Sequence, residues 1–160
     1  MGTAGQETPL SQKLREYVDT VRDTAGAEER RLQFLDLVRT VLGIPFSNFE
    51  LRNEMYGGRM YALLGNLVFQ VKANLHWQPK EAEIQLKGYI TELNSRGSQT
   101  NYIAIATDGL HFHVYRPRYD ETSRVVELER IHGLNLVSPM MTPEQATHDL
   151  GIVLSYLHQG

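Results

Sequence analysis

Residues 59–72, Arg59-Met60-Tyr61-Ala62-Leu63-Leu64-Gly65-Asn66-Leu67-Val68-Phe69-Gln70-Val71-Lys72, read as two apolar strands joined by a two-residue turn. Gly65-Asn66 suits the positive backbone dihedrals of a tight hairpin, so strands are expected over 60–64 and 67–72. Side chains alternate along a strand. Gln70 and Lys72 therefore share one face, while Leu67, Phe69 and Val71 line the other.

Outward from this hairpin, the patterning alternates between helix and strand. A polar helical stretch from about residue 9 to 23 is interrupted at Thr24-Ala25-Gly26. A second helix over 27–42 carries Phe34, Leu35, Val38, Val41 and Leu42 at helical spacing, with Gly43 as its C-cap and Pro45 blocking continuation. Residues 48–55 read as a first strand, ahead of a Gly57-Gly58 turn. Past the hairpin, residues 80–93 form a helix with Ala82, Leu86, Tyr89, Ile90 and Leu93 on one side. A second hairpin, 102–106 and 111–115, turns at Asp108-Gly109, and 124–128 reads as a further strand. The last helix, 143–157, has Thr142 as N-cap and Pro143 as its first residue. Such an order implies a mixed sheet covered by helices, an α/β sandwich in three layers.

The chain has 160 residues, 41% of them hydrophobic and 22% charged, an ordinary globular composition that suits a single domain over 9–158 after a flexible stretch 1–8. The formal charge of −3 gives no bulk basicity, so any nucleic-acid contact has to come from a local patch or another domain. Cysteine is absent, which excludes disulfides and thiolate metal sites and fits a reducing compartment. No apolar run approaches the roughly 20 residues of a membrane span, and no secretory signal is visible. A cytoplasmic location is the expectation.

The run Gly58-Arg59-x-Tyr61-Ala-Leu-Leu-Gly-Asn-x-Val68-x-Gln70-x-Lys72 resembles the core of the PD-(D/E)XK restriction-endonuclease-like superfamily. Three further segments follow in that family's order. Gln85-x-x-x-Tyr89 looks like the Gln-x-x-x-Tyr element of type I restriction subunits. Ile105-Ala-Thr-Asp-Gly109 with Phe112-His-Val-Tyr115 resembles the next hairpin. Thr142-Pro-Glu-x-Ala-x-x-Asp149-Leu-Gly151 is similar to the segment that ends this domain in type IIG-like restriction–modification enzymes, ahead of their methyltransferase domain. The resemblance spans roughly residues 28–154.

It implies a restriction-endonuclease-like three-layer α/β/α fold, DNA as partner, and a place in a restriction–modification or phage-defence protein. The chain would be the N-terminal domain of a longer protein, with a methyltransferase domain or other domains beyond it. The catalytic positions would be Tyr61 where the family has an Asp, Gln70 where it has an acid, and Lys72. Gln85 and Tyr89 would support them. Such nucleases use Mg²⁺, which requires oxygen ligands, usually carboxylates, and a lysine that positions the attacking water. A neutral phenol is a poor ligand for magnesium. With both acids replaced, the resemblance implies a degenerate nuclease that contacts DNA or scaffolds its neighbours and needs no cofactor. The alternatives are an active Mg²⁺-dependent endonuclease with an atypical Gln-x-Lys site, in which Glu54 or Glu50 supplies the acid, and a protein-interaction module.

The residues also have plain readings. Tyr61 suits sheet packing, and Asp108 suits its turn. His111 and His113 without a third ligand suit an ordinary strand surface. Glu28 and Glu29 fit the helix dipole, with Glu29 a candidate addition to the site. Arg116, Arg118, Arg124 and Arg130 could meet a phosphate backbone, but interleaved acids suit a salt-bridged surface.

Overall fold

The computed structural model describes residues 9–41, 51–75, 79–97, 101–121 and 124–155. Four helices and six strands follow in the order α1 (Pro9–Arg22), α2 (Ala27–Asp36), β1 (Leu51–Tyr56), β2 (Arg59–Leu64), β3 (Leu67–Val71), α3 (Pro79–Ser95), β4 (Ile103–Thr107), β5 (His111–Tyr119), β6 (Val125–Asn135) and α4 (Pro143–Leu154). The expected flexible stretch 1–8, the Gly43 cap, Pro45, Glu50 and the last residues of the closing helix lie outside the described residues.

The strands form one mixed sheet in sequence order, β1-β2-β3-β4-β5-β6. Every neighbouring pair is antiparallel except β3 and β4, which run parallel with Gln70 beside Ala106. A parallel pair needs a crossover, and α3 supplies it. The expected hairpin turns at Gly65, whose φ of +58° is left-handed, between the paired residues Leu64 and Leu67.

Strand alternation divides the core in two. Ala62, Leu64, Leu67, Phe69, Ile103, Ile105, Phe112, Val114 and Leu134 meet α1, α2 and α4 on one face. Tyr61, Leu63, Val68, Ala104, Ala106, Tyr115 and Val125 meet α3 on the other. The sheet therefore lies between two helical layers, an α/β fold. Among the described residues, no helix is long and apolar enough to cross a membrane.

Helix stripes follow their expected periods. Ala82, Leu86, Tyr89, Ile90 and Leu93 are all buried on α3, and Ala146, Leu150 and Val153 on α4. Thr142 caps α4 by accepting from the Gln145 N–H at 3.1 Å. Helix α2 departs from the expected run: after Asp36 it widens into a π turn over Leu37–Val41. The second sheet half is longer than expected. Strand β5 continues past Tyr115 through Pro117, which pairs with Leu128 on β6. Proline is tolerated there because β4 pairs no further than Tyr115, so the missing N–H faces no ladder. Strand β6 runs to Asn135 behind two register shifts, and the charges at 127, 129 and 130 hid its length.

Phe34 of α2 touches Phe69 and Phe112 at ring-centroid distances of 5.5 and 5.3 Å, joining helix to sheet in the first core layer. Phe34→Ala is expected to destabilise the protein by about 3–5 kcal/mol in urea unfolding, and a loss under about 1 kcal/mol would show that this contact does not anchor α2.

Candidate functional site

Where the crossover begins, the end of β3 faces the first two turns of α3. Gln70 is 2% exposed and looks toward α3, on the same face as Val68. Its Nε2 donates to Gln85 Oε1 at 2.5 Å, and Gln85 Nε2 donates to Glu81 Oε1 at 2.8 Å. Arg59 Nη2 donates to the same Glu81 oxygen at 3.2 Å, and Lys72 Nζ stands 4.0 Å from it. Lys72 follows the last strand residue, held by its N–H donating to Thr107 carbonyl at 2.8 Å. Its side chain is only 10% exposed. Burial pushes its pKa down, the Glu81 carboxylate pulls it up, and the Arg59 charge lowers it further.

Three of these residues, Arg59, Gln70 and Lys72, border a cavity of about 530 Å³ lined also by Met60, by Ala73 and Asn74 after β3, and by Ala27, Glu28 and Arg31 of α2. Arg31 is nearly buried. It donates to both Glu28 oxygens, at 2.5 and 3.1 Å, and to Asn53 Oδ1 on β1. The Arg31 hydrogen bond pulls the Glu28 pKa down against the opposing effect of desolvation.

The hydrogen-bond chain fixes which way its amides point. A carboxylate accepts and does not donate, so Gln85 must offer its NH₂ to Glu81 and its oxygen to Gln70. Gln70 must then offer its own NH₂, which leaves its carbonyl oxygen outside the hydrogen-bond chain. That oxygen is buried, and no hydrogen-bond partner reaches it among the described residues.

Tyr61 stands one strand over from Gln70 and takes no part in the cavity lining. It is 1% exposed. Its ring stacks on Tyr89 at 4.3 Å and 21°, and its hydroxyl donates to the Gln85 carbonyl at 3.2 Å. Burial pushes its pKa up to about 12. Gln85 and Tyr89 do share one helical face, and both touch Tyr61. Glu54, the acid expected to substitute, is bound elsewhere: it accepts from the Tyr89 hydroxyl and from Arg96 at 3.1 Å. About 12 Å of helix rise separates residues 81 and 89, so Glu54 belongs to the far end of α3.

The acids that do approach the end of β3 are Glu81 and Glu28, which the sequence reading did not select. Glu81 was marked only by its i,i+4 spacing from Gln85. Glu28 borders the cavity in place of its neighbour Glu29. For a divalent cation this set is poor. Glu81 is already held by Arg59 and Gln85, Glu28 by Arg31, and the Tyr61 hydroxyl by a backbone carbonyl; hard cations need several uncommitted oxygen ligands. Three side-chain cations, Arg31, Arg59 and Lys72, against two carboxylates leave one net positive charge, which suits a monoanion.

Behind the cavity, Asp108 holds the loop that carries it. Its carboxylate accepts from the N–H groups of Leu110 at 3.0 Å and His111 at 2.7 Å, from Leu75 at 3.2 Å, and from the His111 ring, 3.0 Å away. The turn role expected of it is present, and the Leu75 bond extends that role to the segment after Lys72. Arg30 donates to the Asp108 carbonyl at 2.8 Å, and Tyr17 to the Gly109 carbonyl at 2.6 Å. Gly109 needs its φ of +90°, and a Cβ there would crowd Tyr17 and Val21. Burial would raise the Asp108 pKa, but the His111 ring and the backbone N–H groups prevail and hold it at about 2. His111 is raised, chiefly by the Asp108 hydrogen bond. His113 contacts the Tyr115 hydroxyl at 3.3 Å. Of the four arginines that could meet a phosphate backbone or form a salt-bridged surface, Arg118 pairs with Glu127 at 3.5 Å, and Arg116 lies opposite Glu129 in the β5–β6 register.

No family model, curated protein or solved structure matches the chain.

Two outcomes follow from this geometry. Tyr61→Phe removes one hydrogen bond and is expected to cost about 0.5–1.5 kcal/mol. Tyr61→Asp loses the Tyr89 stack and buries a charge, costing more than about 3 kcal/mol. Equal urea midpoints for the two variants would contradict this placement. The second outcome concerns pH. Because the folded-state pKa of His111 is raised, its pairing contributes fully below its ordinary 6.5 and fades as pH rises through the raised value. The Asp108 contribution, about 2 kcal/mol at neutral pH, is present above its ordinary 3.8 and is lost as pH falls through about 2. The stability gap between wild type and His111→Gln should accordingly be widest below pH 6.5 and narrow above it; a gap independent of pH would exclude the ion pair.

Proposed function

We propose that this chain is a restriction-endonuclease-like domain of a cytoplasmic restriction–modification or phage-defence protein, one that contacts DNA phosphate at the end of β3 and does not cleave it. The helical layers on both sheet faces and the hairpin that brings Gln70 and Lys72 to a cavity support the family reading. A single observation carries the loss of cleavage: the oxygens that would hold a metal are committed, Tyr61 to Gln85 and Glu81 to Arg59 and Gln85. The same commitments leave a partly buried lysine and a net positive charge near the cavity, and these favour a phosphodiester, which carries one negative charge. DNA contact is electrostatic on this reading and independent of magnesium.

Duplex binding should persist in EDTA and weaken steeply with salt. Lys72→Met should reduce the slope of log affinity against log salt by about 0.9, the share of one phosphate contact. Cleavage of DNA on adding Mg²⁺ would overturn the proposal, as would a salt slope that Lys72→Met leaves unchanged.

A further inference from the structure

On the sheet face that α3 covers, β5 and β6 bring a histidine and an arginine together. Gln70, Ala106, His113 and Gly133 follow one another across β3, β4, β5 and β6 as strand partners. His113 therefore stands two strands from Gln70, about 10 Å away. Strand β6 holds an extra residue here: Val114 pairs with His132 and Tyr115 with Arg130, so Ile131 bulges. In an unbroken strand Arg130 and Gly133 would point to opposite faces; the bulge puts both on the His113 side. A Cβ on Gly133 would collide with Arg130 Nη2, so the guanidinium fills the space of the missing side chain, across from His113. Arg130 makes no ion pair among the described residues.

Neighbouring groups fix the protons of this pair. Burial, then a hydrogen bond to the Glu83 carboxylate, push the Tyr115 pKa up, so its hydroxyl stays protonated. A carboxylate only accepts. The hydroxyl proton therefore goes to Glu83, and the hydroxyl oxygen accepts from His113 Nδ1, 3.3 Å away. Neutral His113 then presents a bare Nε2. That nitrogen reaches solvent, since the buried side-chain nitrogens without a partner are Asn94 Nδ2 and His132 Nε2.

We propose that Arg130 and His113 hold a second phosphate of the DNA duplex, and that His113 takes up a proton at Nε2 to do so. This rests on the DNA reading of the domain. A bare Nε2 would meet a phosphate oxygen lone pair to lone pair, whereas the protonated ring donates to it. Arg130, His113 and Glu83 together are neutral before protonation and carry one positive charge after it, the complement of a phosphodiester. Burial lowers the His113 pKa, Arg130 and His111 lower it further, and Glu83 and Asp108 oppose them. The free ring is thus neutral at neutral pH and charges when the phosphate arrives. The pair lies roughly 10–14 Å from the β3 end, two to three strands over, close to the ~12 Å width of a major groove, so one duplex can offer a phosphate to each contact.

The test follows duplex affinity by fluorescence anisotropy in EDTA from about pH 8 down to about pH 5.5, across the histidine range. The complex holds one more proton than its parts. Wild-type affinity should therefore rise by up to about tenfold per pH unit as pH falls toward the lowered His113 value, and level off below it. His113→Gln should remove that rise. Arg130→Met should lower the slope of log affinity against log salt by about 0.9 at the acid end. Gly133→Ala, whose Cβ displaces only the flexible end of Arg130, should lower it likewise. In NMR titrations the His113 pKa should rise on adding duplex and remain unchanged with inorganic phosphate at equal phosphate concentration. An equal rise with both would assign the site to the free anion and overturn the DNA contact. Wild-type affinity that ignores pH overturns the inference, and so does a pH dependence that survives His113→Gln. If Lys72→Met weakens binding while Arg130→Met and Gly133→Ala do not, the second contact falls and the first stands; if none of the three weakens it, the DNA reading falls as well.

Discussion

The parallel pairing of β3 with β4 is the constraint from which the site follows. Two parallel neighbours cannot be joined by a hairpin, so the chain must leave the end of β3, cross one face of the sheet and re-enter alongside. Helix α3 makes that crossing, and its first turns necessarily lie near the end of β3. Glu81 and Gln85 meet Gln70 and Lys72 for that reason. The same crossing lays Tyr89 on Tyr61 and seals the second core layer.

Once these groups meet, electrostatics decides what the site can hold. A run of amides that starts on a carboxylate has only one direction, and it ends with a buried acceptor on Gln70. Arg59 and Lys72 crowd the carboxylate that could otherwise face a metal. Tyr61 is committed to packing: its ring is stacked on Tyr89 and its hydroxyl is satisfied by a backbone carbonyl. The result is a site whose charge suits an anion better than a metal.

Much of the fold was legible in the sequence because it rests on periodicity. The hairpin at Gly65-Asn66, the α3 stripe from Ala82 to Leu93 and the Thr142 cap are local patterns, and the structure has them where they were expected. Pro117 and the charged residues of β6 disguised long strands, because proline tolerance depends on where a neighbouring strand stops. In the candidate site, the alternation that paired Gln70 with Lys72 and the spacing that paired Gln85 with Tyr89 were readable. Glu81, Arg31 and Glu28 were not, since their roles come from a crossover helix and from a helix on the opposite face meeting the same strand end. Tyr17 was hidden likewise: its bond to Gly109 spans 92 residues of sequence.

The central claim is that DNA meets this domain at the end of β3. An NMR titration of the protein with a duplex in EDTA would locate the contact directly. The largest shifts are expected at the Gln70 side-chain amide, Lys72, Arg59 and the Ala73–Asn74 segment. Shifts confined to the arginines of β5 and β6, with the Gln70 amide unmoved, would contradict it.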